Sequence, residues 1–293
     1  MKLDYVSRIQ TGLKRYKTIA TNKATSRVLD GSYNSIYKGR SMNFDELREY
    51  VPGDDVKDID WKATSRSQKV LVRQYIAEKK HNLMLVFDSN CRMLADSAEG
   101  EEKRDVGLIS GGTLAYMVNS NGDYVAATFC DSKGIQFFPF KMGLMNIENI
   151  LASYQRSVTY DNHSSLDKAL EYLIRNIRRR MIIVIVTDME GIHKVNDSLM
   201  RQLVLTHDVL MVNVSDADIF GKKVYGVNKE NYLPAFITES KKLRKLQQQK
   251  KAQIIEECDN KLKRFGIAMT TVNTVNRIDS SLIELLEKHE LRK

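Results

Sequence analysis

Two aspartates placed alike carry the first chemical suggestion in this chain. Asp88 closes the apolar run Leu83 to Phe87, and Asp188 follows the apolar run Met181 to Val186 by way of Thr187. Short runs that are apolar at every position read as strands buried on both faces, as in parallel sheets covered by helices. In such sheets ligands bind beyond the carboxyl ends of the strands, so both carboxylates are predicted to project from one sheet edge into one crevice. Carboxylates converging there suit a hard cation such as Mg²⁺ when hydroxyls or waters complete its shell. The plainer alternative is that Asp88 caps the segment that follows it.

The elements that would position these groups alternate along the chain. After the strand at 83–87 comes a helical pattern from about Lys103 to Asn119. Tyr124 to Phe129 reads as a strand, Asp131 to Gly134 as a hairpin turn and Ile135 to Phe138 as its antiparallel partner. Helical patterns cover Asn146 to Ser153 and Ser165 to Arg179, with Arg178, Arg179 and Arg180 at the helix end favoured by its dipole. Residues 197–205 read as a helix, Val209 to Val214 as a strand, and Ile267 to Val272 as a last strand. Strands alternating with helices in this way predict an α/β, doubly wound, mostly parallel sheet. Between the last two strands, Glu239 to Arg264 predicts a long amphipathic helix. Its cations Lys241, Lys242, Arg244, Lys245, Lys250 and Lys251 read either as a solvated face or as a grip on phosphates. Upstream, Leu3, Val6, Ile9 and Leu13 recur at helical spacing and predict a helix in a peripheral arm.

A second constellation precedes the first buried strand. Pro52-Gly53 sets a tight turn, Asp55 can cap a short helix through Lys57 and Asp58, and Val70 to Ile76 alternates as a strand. Residues 38–60 hold seven carboxylates against four cations, an acidic island beside the only tryptophan, Trp61. This island reads either as a recognition surface, since aromatic and Arg anchors dominate interface energies, or as an internal lock in which Arg48 and Arg66 pair with Asp54, Asp55 or Asp60.

Two family resemblances follow from these residues. The arrangement at the strand ends resembles the von Willebrand factor type A fold, whose metal-ion-dependent adhesion site uses an Asp-x-Ser-x-Ser loop, a Thr from a second loop and an Asp from a third. Here the first loop reads Asp88-Ser89-Asn90-Cys91-Arg92, the second offers Ser164 in the threonine's place, and the third offers Asp188. The resemblance therefore implies a degenerate metal site of Asp88, Asn90, Ser164 and Asp188. Arg92 is the telling departure: its guanidinium beside Asp88 and Asp188 can neutralise them without a metal, or it can swing outward and leave Asn90 to contribute to a weak Mg²⁺ site.

The wider stretch closely resembles the bacterial family catalogued as domain of unknown function 58. Arg48-Glu49-Tyr50-Val51-Pro52-Gly53-Asp54-Asp55 leads into Ile59-Asp60-Trp61 and closes at Ser65-Arg66, with serine where alanine is usual. That resemblance implies a signature-bearing extension ahead of a von Willebrand type A-like domain. It divides the chain into a helical arm at 1–35, the extension at 36–80 and the type A-like domain at 81–293. It also implies a non-enzymatic adaptor that partners a MoxR-type AAA+ ATPase and its client, with Arg92, Arg48, Tyr50, Asp54, Asp55, Asp60, Trp61 and Arg66 as partner-binding candidates.

Composition limits the alternatives. With 293 residues, 42% hydrophobic and 28% charged, the chain is expected to fold. The longest apolar runs fall far short of the roughly 20 residues of a membrane-spanning helix, and the first thirty residues lack the apolar core of a signal peptide. Three widely spaced cysteines, Cys91, Cys130 and Cys258, fit neither a paired zinc motif nor a disulfide framework, so a cytoplasmic setting is expected. A net charge of +9 leaves a nucleic-acid-binding protein as one rival reading. A hydrolase using Asp88 and Asp188 with a divalent ion is the other. Gly111-Gly112-Thr113 lacks the Lys of a phosphate loop and points to close helix packing. His163 and His193 flank the crevice loops as bystanders or contributors.

Overall fold

A computed structural model describes residues 4–19, 43–51, 54, 56–67, 69–76, 82–217, 225–226, 231–232 and 240–291. In chain order the elements are α1 (Asp4–Ile19), β1 (Asn43–Glu49), α2 (Trp61–Ser67), β2 (Leu71–Ile76), β3 (Asn82–Phe87), α3 (Lys103–Ser120), β4 (Tyr124–Asp131), β5 (Gly134–Lys141), α4 (Leu144–Ser157) and α5 (Leu166–Asn176). They continue with β6 (Ile182–Thr187), α6 (Met189–Lys194), α7 (Asp197–Thr206), β7 (Asp208–Val214), the two-residue strands β8 (Tyr225–Gly226) and β9 (Asn231–Tyr232), α8 (Lys241–Arg264), β10 (Ala268–Val272) and α9 (Ile278–Glu290). These fall into two compact units, residues 1–36 with 81–293, and residues 37–80.

The larger unit is built on a six-stranded sheet of order β10-β7-β6-β3-β4-β5. All its neighbours pair in parallel except β4 and β5, which form the antiparallel hairpin. Strands β3 and β6 are buried at every position, as their unbroken apolar sequences require. Met84, Val86, Ile183 and Ile185 face a cluster completed by Leu170 and Leu173 of α5, Leu203 of α7 and Cys258 and Leu262 of α8. On the other face α3 lies so close that a Cβ on Gly111 would come within 2.6 Å of the Phe87 ring. Close packing therefore explains the glycine pair. Strand order reverses at β3 and β6, so their carboxyl ends flank the topological switch point where crevices form.

Helix α1 is an integral layer of this unit. Val6 and Ile9 are buried, and a Cβ on Gly112 would meet Ile9 Cδ1 at 2.6 Å. The buried carboxylate of Glu148 in α4 accepts from the backbone N–H of Tyr5 at 3.1 Å and of Val6 at 3.0 Å. First-turn amides have no partner within their own helix, so an anion from a neighbouring helix satisfies them and the dipole together.

Three other differences from the sequence reading have local causes. Helix α5 stops at Asn176 and Ile177 turns extended, which frees the chain to enter β6. Arg178, Arg179 and Arg180 thus lie beyond the helix, and Arg180 Nη2 donates to Asp208 at 3.1 Å. In the smaller unit, Asn43–Glu49 forms a strand that pairs antiparallel with β2 across a bulge at Phe44/Glu46. The short helix expected through Lys57 and Asp58 is a single 3-10 turn, Val56–Asp58. The helix cap is Asp60, whose Oδ1 accepts from the N–H of Lys62 and Ala63 at 3.0 Å. Asp55 lies outside the described residues.

Candidate functional site

The sheet edge brings Asp88, Asn90, Arg92, Ser164 and Asp188 together, but not as a set of oxygen ligands. Asp88 and Asp188 directly follow β3 and β6, whose parallel pairing runs to Phe87 and Val186. They are 2% and 1% exposed, so each must be fully compensated by donors. Asp88 Oδ1 accepts from the Asn90 N–H at 3.0 Å, and Asp88 Oδ2 accepts from Thr187 Oγ1 at 2.7 Å and Arg92 Nη2 at 2.9 Å. Asp188 Oδ1 caps α6 by accepting from the Gly191 N–H at 2.7 Å, with a longer 3.5 Å contact from Arg92 Nη2. Asp188 Oδ2 accepts from Arg92 Nε at 3.2 Å and Lys103 Nζ at 2.8 Å.

Lys103 completes the arrangement and was not singled out by the sequence reading. It opens α3, is 1% exposed, and also pairs with Asp216 just past the end of β7. A lysine in a first helical turn works against the helix dipole, and that misplacement is the one signal in the sequence that an anion waits nearby. Gly191 is equally demanded: a Cβ there would fall 2.0 Å from Thr187 Oγ1 and 2.9 Å from Asp88 Oδ2.

The electrostatics separate the two carboxylates. Burial pushes the Asp88 carboxyl above its usual range, with Arg92 opposing. Burial pushes on Asp188 as well, but Lys103 and Arg92 outweigh it and hold that carboxyl down at about 2. Burial disfavours the charged forms of Lys103 and Arg92, yet the neighbouring aspartates raise both above their ordinary values. Asp188 is thus held as an anion between two cations that stay charged, while burial biases Asp88 toward its protonated form.

The residues present do not fit a divalent cation. Three of the four Asp88 and Asp188 carboxylate oxygens already accept from two donors each, which uses the lone pairs an ion would need. The two remaining candidate ligands are turned away. Asn90 Nδ2 donates to the Ser164 carbonyl at 3.0 Å, and Asn90 Oδ1 accepts from the Arg92 N–H at 3.1 Å. The Ser164 hydroxyl donates to the Cys130 carbonyl. Arg92 points inward, its side chain 13% exposed. Among the described residues no group of three or more His, Cys, Asp or Glu side chains is placed to hold a metal.

The loops around the crevice are fixed by Asn162, a second residue the sequence reading missed. Its Nδ2 donates to the carbonyls of Ser89, Cys130 and Ser157 at 2.8–3.2 Å, and its own carbonyl accepts from the Cys91 N–H at 2.7 Å. Tyr154 Oη donates to the Asp88 carbonyl at 3.0 Å. His163 Nδ1 lies 3.3 Å from Cys91 Sγ, but burial raises that thiol and works against a nucleophilic thiolate. His193 pairs at the surface with Glu257 at 3.6 Å.

The remaining candidates lie in the smaller unit. Trp61 is 64% exposed, with Tyr50 at 36%, Val51 at 56% and Val56 at 60%. Asp54 Oδ2 accepts from the Val51 N–H at 2.9 Å, Asp60 caps α2, and Arg66 is exposed. Arg48 lies in β1, and its side chain is outside the described residues. On α8, the cations Lys242, Arg244, Lys245, Lys250 and Lys251 are exposed together with Leu243 and Leu246. Lys251 Nζ reaches back to the Asp216 carbonyl at 3.3 Å, and the Lys241 side chain is outside the described residues.

Comparison with known proteins matches residues 46–219 to the family described as "Protein of unknown function DUF58". Among curated proteins, "Uncharacterized protein Rv1480" of Mycobacterium tuberculosis (strain ATCC 25618 / H37Rv) and "Uncharacterized protein Mb1516" of Mycobacterium bovis are each 27% identical over 191 residues. The match covers 64% of this chain and 60% of either relative, so the chain spans less than two thirds of their length. Among solved structures, BatB from Bacteroides thetaiotaomicron aligns with a TM-score of 0.43 at 13% identity, covering 71% of this chain and 98% of that one. A von Willebrand factor type A protein from Catenulispora acidiphila aligns with a TM-score of 0.38 at 7% identity, covering 73% and 44%. The α/β assignment rests on the strand order itself. Among the described residues no helix is long and apolar enough to cross a membrane.

Proposed function

This chain belongs to the DUF58 family, and on that premise we propose that it is a non-enzymatic adaptor that works by protein contact, in partnership with a MoxR-type AAA+ ATPase and the client that ATPase acts on. The observation that carries the reading is the exposure of Trp61, at 64%, with Tyr50, Val51 and Val56 in an acidic stretch of the signature unit. A large aromatic left in water costs hydration free energy, and such residues are the usual anchors of interfaces. The crevice supports the non-enzymatic part: its carboxylates are neutralised by buried cations, and its thiol is raised by burial. A hydrolase would need Asp88 and Asp188 free to hold or activate a nucleophile.

In this reading the signature unit makes the contact, and the cytoplasm is where such a partner would be met. The test is co-purification. Tagged protein captured gently from its host with ATP and Mg²⁺ should bring down an AAA+ ATPase, identified by mass spectrometry, and Trp61→Ala should lose it. Recovery of no ATPase with the wild-type protein would overturn the partnership.

A second reading has its own observation, the exposed basic half of α8 with five described cations. A nucleic-acid binder using it would lose affinity steeply as salt rises, roughly in proportion to the phosphates contacted. Affinity for nucleic acid that is weak at 50 mM salt would dispose of that alternative.

A further inference from the structure

We infer that Arg92 and Lys103 are a built-in replacement for a divalent cation, so that this crevice keeps its charge balance without an ion and takes none. The inference concerns the isolated protein and does not depend on any partner. The guanidinium reaches both carboxylates through adjacent nitrogens, Nη2 to Asp88 at 2.9 Å and Nε to Asp188 at 3.2 Å. The Lys103 ammonium shares Asp188 Oδ2 with Arg92 Nε, at 2.8 Å, and ties it to Asp216. One cationic pair thus links the carboxyl ends of β3, β6 and β7 to the start of α3, which is the work a metal ion would do by bridging loops. The planar fork of arginine suits the two-carboxylate span, and the point charge of lysine adds a second donor to Asp188 Oδ2.

The neutral groups have adapted to the same end. Asn90 uses its side-chain oxygen on the Arg92 N–H, which fixes the turn that delivers the guanidinium, and Ser164 donates to Cys130. Of the four carboxylate oxygens only Asp88 Oδ1 accepts from a single donor, too little to hold an ion. A divalent cation arriving at the crevice would be repelled by the two positive charges already paired with the carboxylates. Entry would require expelling both, and each expelled cation would leave its own donors to be resolvated.

The test is a metal titration of the purified chain. Wild-type protein stripped with EDTA should show no binding of Mg²⁺ or Mn²⁺ tighter than about 1 mM by calorimetry, the weak end of protein sites for hard cations. Its thermal midpoint should be the same in EDTA and in either ion. The variant Arg92→Ser with Lys103→Ala should be less stable in EDTA and should recover with Mn²⁺ in a saturable way, because the vacated carboxylates then form an ordinary cation site. If that pair of changes prevents folding, Arg92→Ser alone should gain the same saturable Mn²⁺ response. Saturable stabilisation of the wild-type protein by either ion would overturn the inference, as would a folded variant that gains no metal response.

Discussion

Asp188 shows what the crevice depends on. Its carboxylate is 1% exposed and shared between Arg92 and Lys103, so removing one cation leaves a buried charge short of compensation. Lys103→Met should lower unfolding free energy by about 3 kcal/mol or more, measured by urea unfolding at pH 7, the usual cost of breaking one side of a buried pair. The sign with pH follows from the shifts. Asp188 has a folded value of about 2 against an ordinary 3.8, so its ionisation stabilises the fold above pH 3.8, and that contribution is lost as pH falls from there towards 2. Without Lys103 the carboxyl rises, and the acid loss should begin at higher pH. Asp88 acts in the opposite sense: raised by burial, it binds its proton more readily in the folded state, so ionising it opposes folding. Gly191→Ala should be disruptive without any change of charge, because the new methyl would fall 2.0 Å from Thr187 Oγ1. Overpacking of this kind costs about 1–3 kcal/mol, and calorimetric melting would show it. Asp88 and Asp188 were legible because each directly terminates a run of core residues. Lys103 and Asn162 were not, because Lys103 meets Asp188 85 residues away and Asn162 meets Ser89 73 residues away, and no spacing rule encodes that.

At the scale of elements, the strands of the main sheet were legible from patterning, and the exceptions came from pairing. Strands β3, β6 and β7 announce themselves by continuous apolar sequence, and β4 with β5 by a turn between β-rich runs. β1 reads Asn-Phe-Asp-Glu-Leu-Arg-Glu, with neither alternation nor apolar continuity, and it is a strand because β2 supplies hydrogen bonds along its length. Helix α9, which buries Leu282, Leu285 and Leu286, is not among the elements expected from the sequence. Helix α1 was legible as a helix but not as part of the main unit, because its anchor, Glu148, lies more than 140 residues away. Glu148→Ala should loosen that anchor by about 1 kcal/mol, the usual worth of a lost cap. Amide exchange in residues 5–12 should then accelerate while β3 and β6 stay protected. Unchanged exchange there would mean that Val6 and Ile9 hold the helix by packing alone.

For the whole molecule, the division into two units separates two kinds of chemistry. The larger unit spends its most unusual residues internally, with every strand-end charge in the crevice answered by another. The smaller unit carries exposed aromatic and aliphatic side chains in and beside its acidic stretch at 38–60. An adaptor needs a rigid body and a recognition surface, and this distribution supplies one of each. With Arg92 and Lys103 in place of an ion, as proposed, partner binding should persist when divalent ions are chelated, apart from whatever ATP binding by the partner itself requires. The most direct measurement is the affinity of the purified chain for the purified ATPase recovered with it, compared with that of Trp61→Ala by biolayer interferometry. Trp61→Ala should lose at least about 10-fold in affinity, the effect of removing an interface anchor, with its melting unchanged because Trp61 is 64% exposed. Equal affinities for the two proteins would contradict it and move the contact off the signature unit.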